Sequence, residues 1–150
     1  MHVDEGGVQA WFRNPNRQEI RKIEFDGCFD KTEGTYKADY ILGKKDTLDI
    51  VIELKGSHTN LGHALDQVAD TIEVWKSSPL RYPRIAALII YGTIWARDGL
   101  PRRRPKALSS VQSTLGDFRG RFKGKIRLLV CESGERQFMF RDFLRANDAG

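Results

Sequence analysis

Cysteine is scarce. The 150 residues hold two, Cys28 and Cys131, which is too few for a disulfide scaffold, and their separation has no metal-site spacing. They read as reduced, half-buried thiols. No apolar run approaches the roughly 18 residues that a membrane span needs. The longest, Ile85 to Tyr91, is strand-sized. Met1 to Ala10 carries Asp4, Glu5 and two glycines and lacks the apolar stretch of a signal peptide. The expectation is therefore a cytoplasmic address with no membrane partner. Repeats and low-complexity segments are absent too, which excludes solenoids and disordered linkers.

What is present suits one globular domain spanning residues 1–150. Hydrophobic residues make up 40% and charged residues 30%, a balance that can bury a core. The net charge of +5 is unevenly placed. Between Arg97 and Arg127 lie Arg102, Arg103, Arg104, Lys106, Arg119, Arg121, Lys123 and Lys125 as well, against only Asp98 and Asp117. Such a surplus suits a polyanion-binding surface, although Arg102-Arg103-Arg104 alone would be an ordinary basic loop.

Residues 1–16 are polar and read as a lead-in segment of uncertain structure. Arg21 to Gly27 predicts a first strand. Tyr36 to Leu42 and Leu48 to Leu54 predict two more, joined by the short polar linker Gly43 to Thr47 as an antiparallel hairpin. After Gly56 the period changes. Leu61, Leu65, Val68, Ile72 and Trp75 form one apolar helical stripe, with Thr59 or Asn60 to cap its start and Pro79 to end it. Arg84 to Tyr91 is apolar almost throughout, as in a central strand covered on both faces. A second helix is expected over Ala107 to Phe122, a strand over Lys125 to Cys131, and an edge strand or tail over Arg136 to Phe140. The expected class is α/β, with a mixed central sheet, an antiparallel hairpin followed by parallel strands, flanked by helices.

The chemistry concentrates in Ala38-Asp39-Tyr40 and Ile50-Val51-Ile52-Glu53-Leu54-Lys55. Residues two apart on a strand share a face, so Glu53 and Lys55 point together with Asp49 and Val51, while Ile50, Ile52 and Leu54 point the other way. A hairpin centred on Asp46 puts Asp39 directly opposite Glu53, with Cβ atoms about 4.5–5.5 Å apart. A register slip of one residue would destroy this. Two carboxylates so placed repel unless a positive group lies between them, and a hard divalent cation is the obvious candidate. Glu53-Leu54-Lys55 is the only acidic-x-Lys tripeptide among the twenty acidic residues.

The pattern of Asp39, then Glu53-Leu54-Lys55, then a helix bearing Gln67 resembles the PD-(D/E)XK nuclease superfamily over about residues 21 to 92. It departs from that pattern at Ala38, where the superfamily's motif has proline. The resemblance implies a restriction-endonuclease-like core and a metal-dependent nuclease acting on DNA, in defence, repair or recombination. It implies Mg²⁺, with Mn²⁺ as a substitute, held by Asp39 and Glu53. Lys55 would position or activate the attacking water, and Gln67 would join the catalytic group. An acidic residue on an early helix is a common third metal ligand, for which Glu19 is the candidate, with Glu24 and Asp26 behind it. Arg102, Arg103, Arg104, Lys106, Arg119, Arg121 and Lys123 would contact nucleic acid, and a homodimer or a partner subunit is compatible with two-strand cutting. The competing reading is a non-catalytic nucleic-acid-binding or protein-interaction module on the same fold. His63 and Asp66, three apart on the helix, read as an exposed face, and Trp75, Trp95, Phe118 and Phe122 as core.

Overall fold

The computed structural model describes residues 2–5, 8–24, 38–55, 61–92, 108–133 and 137–144. The strands are β1 (His2–Glu5), β2 (Val8–Arg13), β3 (Ile20–Glu24), β4 (Tyr40–Lys44) and β5 (Leu48–Lys55). Helix α1 (Leu61–Trp75) leads to β6 (Arg84–Tyr91), then α2 (Leu108–Arg121) leads to β7 (Arg127–Glu132) and β8 (Gln137–Met139). A 3-10 turn at Phe140–Phe143 follows.

A five-stranded sheet runs in the order β3-β4-β5-β6-β7. Its first three strands are antiparallel, and β6 and β7 are each parallel to the strand before them. The chain is thus α/β with a mixed central sheet. The turn between β4 and β5 is three residues long and holds Asp46 at φ 56°, a left-handed conformation that aspartate accepts more readily than most side chains. Tyr40 pairs with Ile52 and Lys44 with Leu48, the register expected from the linker.

Alternation along β5 and β6 divides the core into two layers. Ile41, Val51, Ala87 and Ile89 pack under α1 and α2 with Leu65, Val68, Ile72, Trp75, Phe118 and Phe122. Residues of opposite parity, including Leu42, Ile50, Ile52 and Leu88, pack against Val8, Ala10, Phe12, Phe138 and Phe143. The second layer is roofed by another sheet, in the order β1-β2-β8, with β2 parallel to β8. Residues 1–16 therefore contain a hairpin, β1 paired with β2, rather than an unplaced lead-in. Val8, Ala10 and Phe12 are buried and alternate with exposed Gln9, Trp11 and Arg13, so the period-two signal was present. No helix among the described residues is long and apolar enough to cross a membrane.

Candidate active site

The hairpin register carries Asp39, one residue before β4, to the position opposite Glu53. Here two side-chain-to-backbone bonds cross between the two segments. The Asp39 N–H donates to Glu53 Oε2 at 3.1 Å, and the Leu54 N–H donates to Asp39 Oδ2 at 2.9 Å. Each carboxylate is thus held by a backbone amide on the other's segment, which fixes both without neutralising either. Lys55 Nζ lies 3.2 Å from Glu53 Oε1. Glu53 is 2% exposed and Lys55 18%, so the glutamate forms the floor and the lysine leads toward the surface.

Burial, followed by the adjacent Asp39 charge, pushes the Glu53 carboxyl up to about 8. Lys55 and the Asp39 amide pull it down, but not enough to restore an ordinary acid. Without another positive charge at the site, Glu53 keeps a proton over much of the neutral range.

The loop that delivers Asp39 is anchored from the helix. Ala38 N–H donates to Thr71 Oγ1 at 2.7 Å, and that hydroxyl donates to the Gln67 carbonyl at 2.8 Å. Thr71 is fully buried. It lies three residues after Val68 and four before Trp75, so it interrupts the apolar stripe of α1, the one sequence signal that could have marked it as needing a partner. Gln67 is half-buried one turn before it. At the carboxyl ends of the parallel strands, Tyr91 pairs with Lys55 in register, and the Gly92 N–H donates to the Lys55 carbonyl at 2.8 Å. The site thus lies at the strand ends where α/β sheets place their ligands.

No protein-family model, curated protein or solved structure matches this chain. The site must be judged on its own chemistry. Two fixed carboxylates offer hard oxygen donors, and burial together with the Asp39 charge raises the Glu53 carboxyl; both features fit a hard divalent cation. Among the described residues, no group of three or more His, Cys, Asp or Glu side chains gathers as a metal site.

The structure does not bring every expected residue here. Glu19 follows a turn and is exposed, with its carboxylate 3.0 Å from Lys45 at the far end of the β4–β5 hairpin. Leu48 and Glu53 are five residues apart on β5, so Glu19 is about 17 Å from the carboxylate pair at strand spacing. Glu24 is exposed on β3 opposite Tyr40, at the site end of the sheet. Arg119, Arg121 and Lys123 close α2 and its following turn, at the end of the helix that leads into the start of β7. Arg121 reaches Asp70 at 3.5 Å and Glu73 at 3.6 Å, bracing α2 against α1. These three basic residues are not gathered with Asp39 and Glu53. Asp26, Cys28, Trp95, Arg102, Arg103, Arg104 and Lys106 lie outside the described residues. His63 and Asp66 are exposed on α1, and Trp75, Phe118 and Phe122 are buried, as expected.

A second buried acid, Asp49, shares the Glu53 face of β5 as expected, but its partners escaped the sequence reading. Asp49 accepts from Trp75 Nε1 at 2.8 Å, from the Tyr82 N–H at 2.8 Å and from Arg21 at 3.2 Å. Arg21 stacks on the Tyr82 ring at 3.9 Å. A Cβ on Gly43 would come within 2.5 Å of Asp49 Oδ1, so glycine is required for this close approach. The cluster ties β3, β5 and the end of α1 together and is structural.

Proposed function

We propose that this chain is a divalent-metal-dependent nuclease hydrolysing phosphodiester bonds of DNA, with Asp39, Glu53 and Lys55 as its catalytic residues. The observation that carries this reading is the crossed pairing of Asp39 and Glu53 beside Lys55. Asp39 and Glu53 would hold Mg²⁺, or Mn²⁺ in its place. The bound cation would polarise a phosphate oxygen and acidify a water molecule. Glu53 would bind the cation as the carboxylate, releasing its proton to solvent, since the ion would supply the charge that offsets burial and the Asp39 charge. Lys55, on the open side of Glu53, offsets negative charge developing on the phosphoryl oxygens and orients the incoming water. Gln67 and Thr71 act behind this group: Thr71 sets the loop that carries Asp39, and Gln67 holds the Thr71 hydroxyl through its carbonyl. The chain's net charge of +5 favours a polyanionic substrate.

The test is incubation with supercoiled, linear, single-stranded and branched DNA in Mg²⁺ or Mn²⁺. Cutting should be abolished by EDTA and by Asp39→Ala. Lys55→Ala should slow it by about 10²–10³-fold, the scale for removing one transition-state charge partner. Wild-type protein that binds neither metal and cuts no DNA would instead favour the non-catalytic module.

A further inference from the structure

A cavity lies at the opposite end of the sheet from Glu53 and Lys55, where β5 and β6 begin. Its volume is about 340 Å³, within the span of small-molecule sites. Five of its lining residues are cationic: Lys76, Arg81, Arg84, Lys125 and Arg127. No Asp or Glu is among the described residues that line it. The floor is apolar, with Leu48, Ile85, Phe122 and Phe143.

Two of the guanidiniums are already oriented. Arg127 Nε donates to the Asp142 carbonyl at 2.7 Å. Arg81 donates to the carbonyls of Lys76 at 3.1 Å and Pro83 at 3.2 Å. Carbonyl oxygens fix direction but carry no formal charge, so these contacts aim the cations without neutralising them. Lys76 also meets the Glu73 carboxylate at 2.8 Å. Converging cations repel one another and focus a positive potential into the cavity, which an anion relieves. Pre-oriented arginines match phosphate oxygens, and the phenyl rings of the floor offer an apolar surface to a base or sugar.

We infer that this cavity is a binding site for a phosphate ester, with the phosphate on Arg81, Arg84, Lys125 and Arg127 and the nucleoside part against Phe122 and Phe143. The site is separate from the carboxylate pair and does not depend on the nuclease reading. The phosphate could be presented by a mononucleotide or by a nucleic-acid backbone, and the probes distinguish them.

The experiment is calorimetric titration of the full chain in EDTA with inorganic phosphate, a 5′-deoxymononucleotide and a short single-stranded oligonucleotide. Lys125→Glu and Arg84→Glu are the first variants, because both side chains are exposed and can be reversed without opening the core. At least one ester should bind more tightly than inorganic phosphate, and each reversal should weaken it about tenfold or more, the scale for a charge-assisted contact. Lys55→Ala should leave this binding unchanged. Mononucleotide binding assigns a free nucleotide, and binding of the oligonucleotide alone assigns a backbone phosphate. The inference falls if neither ester binds below about 1 mM. It falls equally if binding survives both reversals in folded protein, or disappears with Lys55→Ala.

Discussion

Two acids on one face of β5 are buried by opposite means. Asp49 is surrounded by donors from Arg21, Trp75 and Tyr82, so its charge is fully met within the fold. Glu53 has the Asp39 amide and Lys55, and faces a second carboxylate. That difference has a measurable sign. Glu53 titrates at about 8 in the folded chain, far above an ordinary glutamate, so the native state holds a proton that the unfolded chain has lost. Stability from this proton is fully present below the unfolded value and declines as pH rises toward 8. In EDTA, thermal melting should therefore fall between about pH 5 and 8, with saturating Mn²⁺ flattening the decline and Glu53→Gln removing it. Parallel profiles for wild type and Glu53→Gln would assign the titration elsewhere. The pairing of Asp39 with Glu53 was legible because a short polar linker fixes the register of a hairpin. The role of Asp49 was not, since an acid on a strand reads as solvated until Arg21 and Trp75, 28 and 26 residues away, are brought to it.

At the scale of elements, α1 acts as a splint. Trp75 ties its last turn to Asp49 near the start of β5, and Thr71 ties its middle to Ala38, beside Asp39. The helix thereby sets the position of the residue before the first carboxylate as well as covering the sheet. Thr71→Val keeps the shape but leaves the buried Ala38 N–H without its acceptor, at a cost of about 1–3 kcal/mol. On the proposed nuclease reading, the expected result is a folded protein with a lowered urea midpoint and a larger loss in cleavage rate than in DNA affinity, both restored by Thr71→Ser. An unchanged rate with a lowered midpoint would confine Thr71 to stability. The sequence displayed α1 and β6 plainly, through the 3.6-residue stripe and the unbroken apolar run. It displayed β2 faintly, because Val8, Ala10 and Phe12 alternate over only six residues beside Gly6 and Gly7. Its pairing with β8, Trp11 to Gln137 and Phe12 to Phe138, joins segments more than 120 residues apart, which no local pattern encodes.

For the molecule as a whole, parity along β5 separates the roofed apolar layer from the proposed site. Odd positions carry Asp49, Glu53 and Lys55 toward α1, and even positions carry Ile50, Ile52 and Leu54 toward the roof formed by β1, β2 and β8. The two ends of the described chain close that roof. Phe138 is 2% exposed, with its ring 5.6 Å from Phe12 and 6.1 Å from Phe143. Phe138→Ala should cost about 3–5 kcal/mol, and so should Phe12→Ala, by opening a cavity in a packed layer. The double variant should cost less than the sum, because the partner ring has already lost its neighbour. Denaturant unfolding of the four proteins measures the coupling. On the proposed metal-binding reading, the same variants should leave the melting response to Mn²⁺ intact while they remain folded, since the roof meets the sheet on the face away from Glu53. A roof variant that stays folded yet loses that response would show that the two faces are mechanically coupled through the backbone of β5.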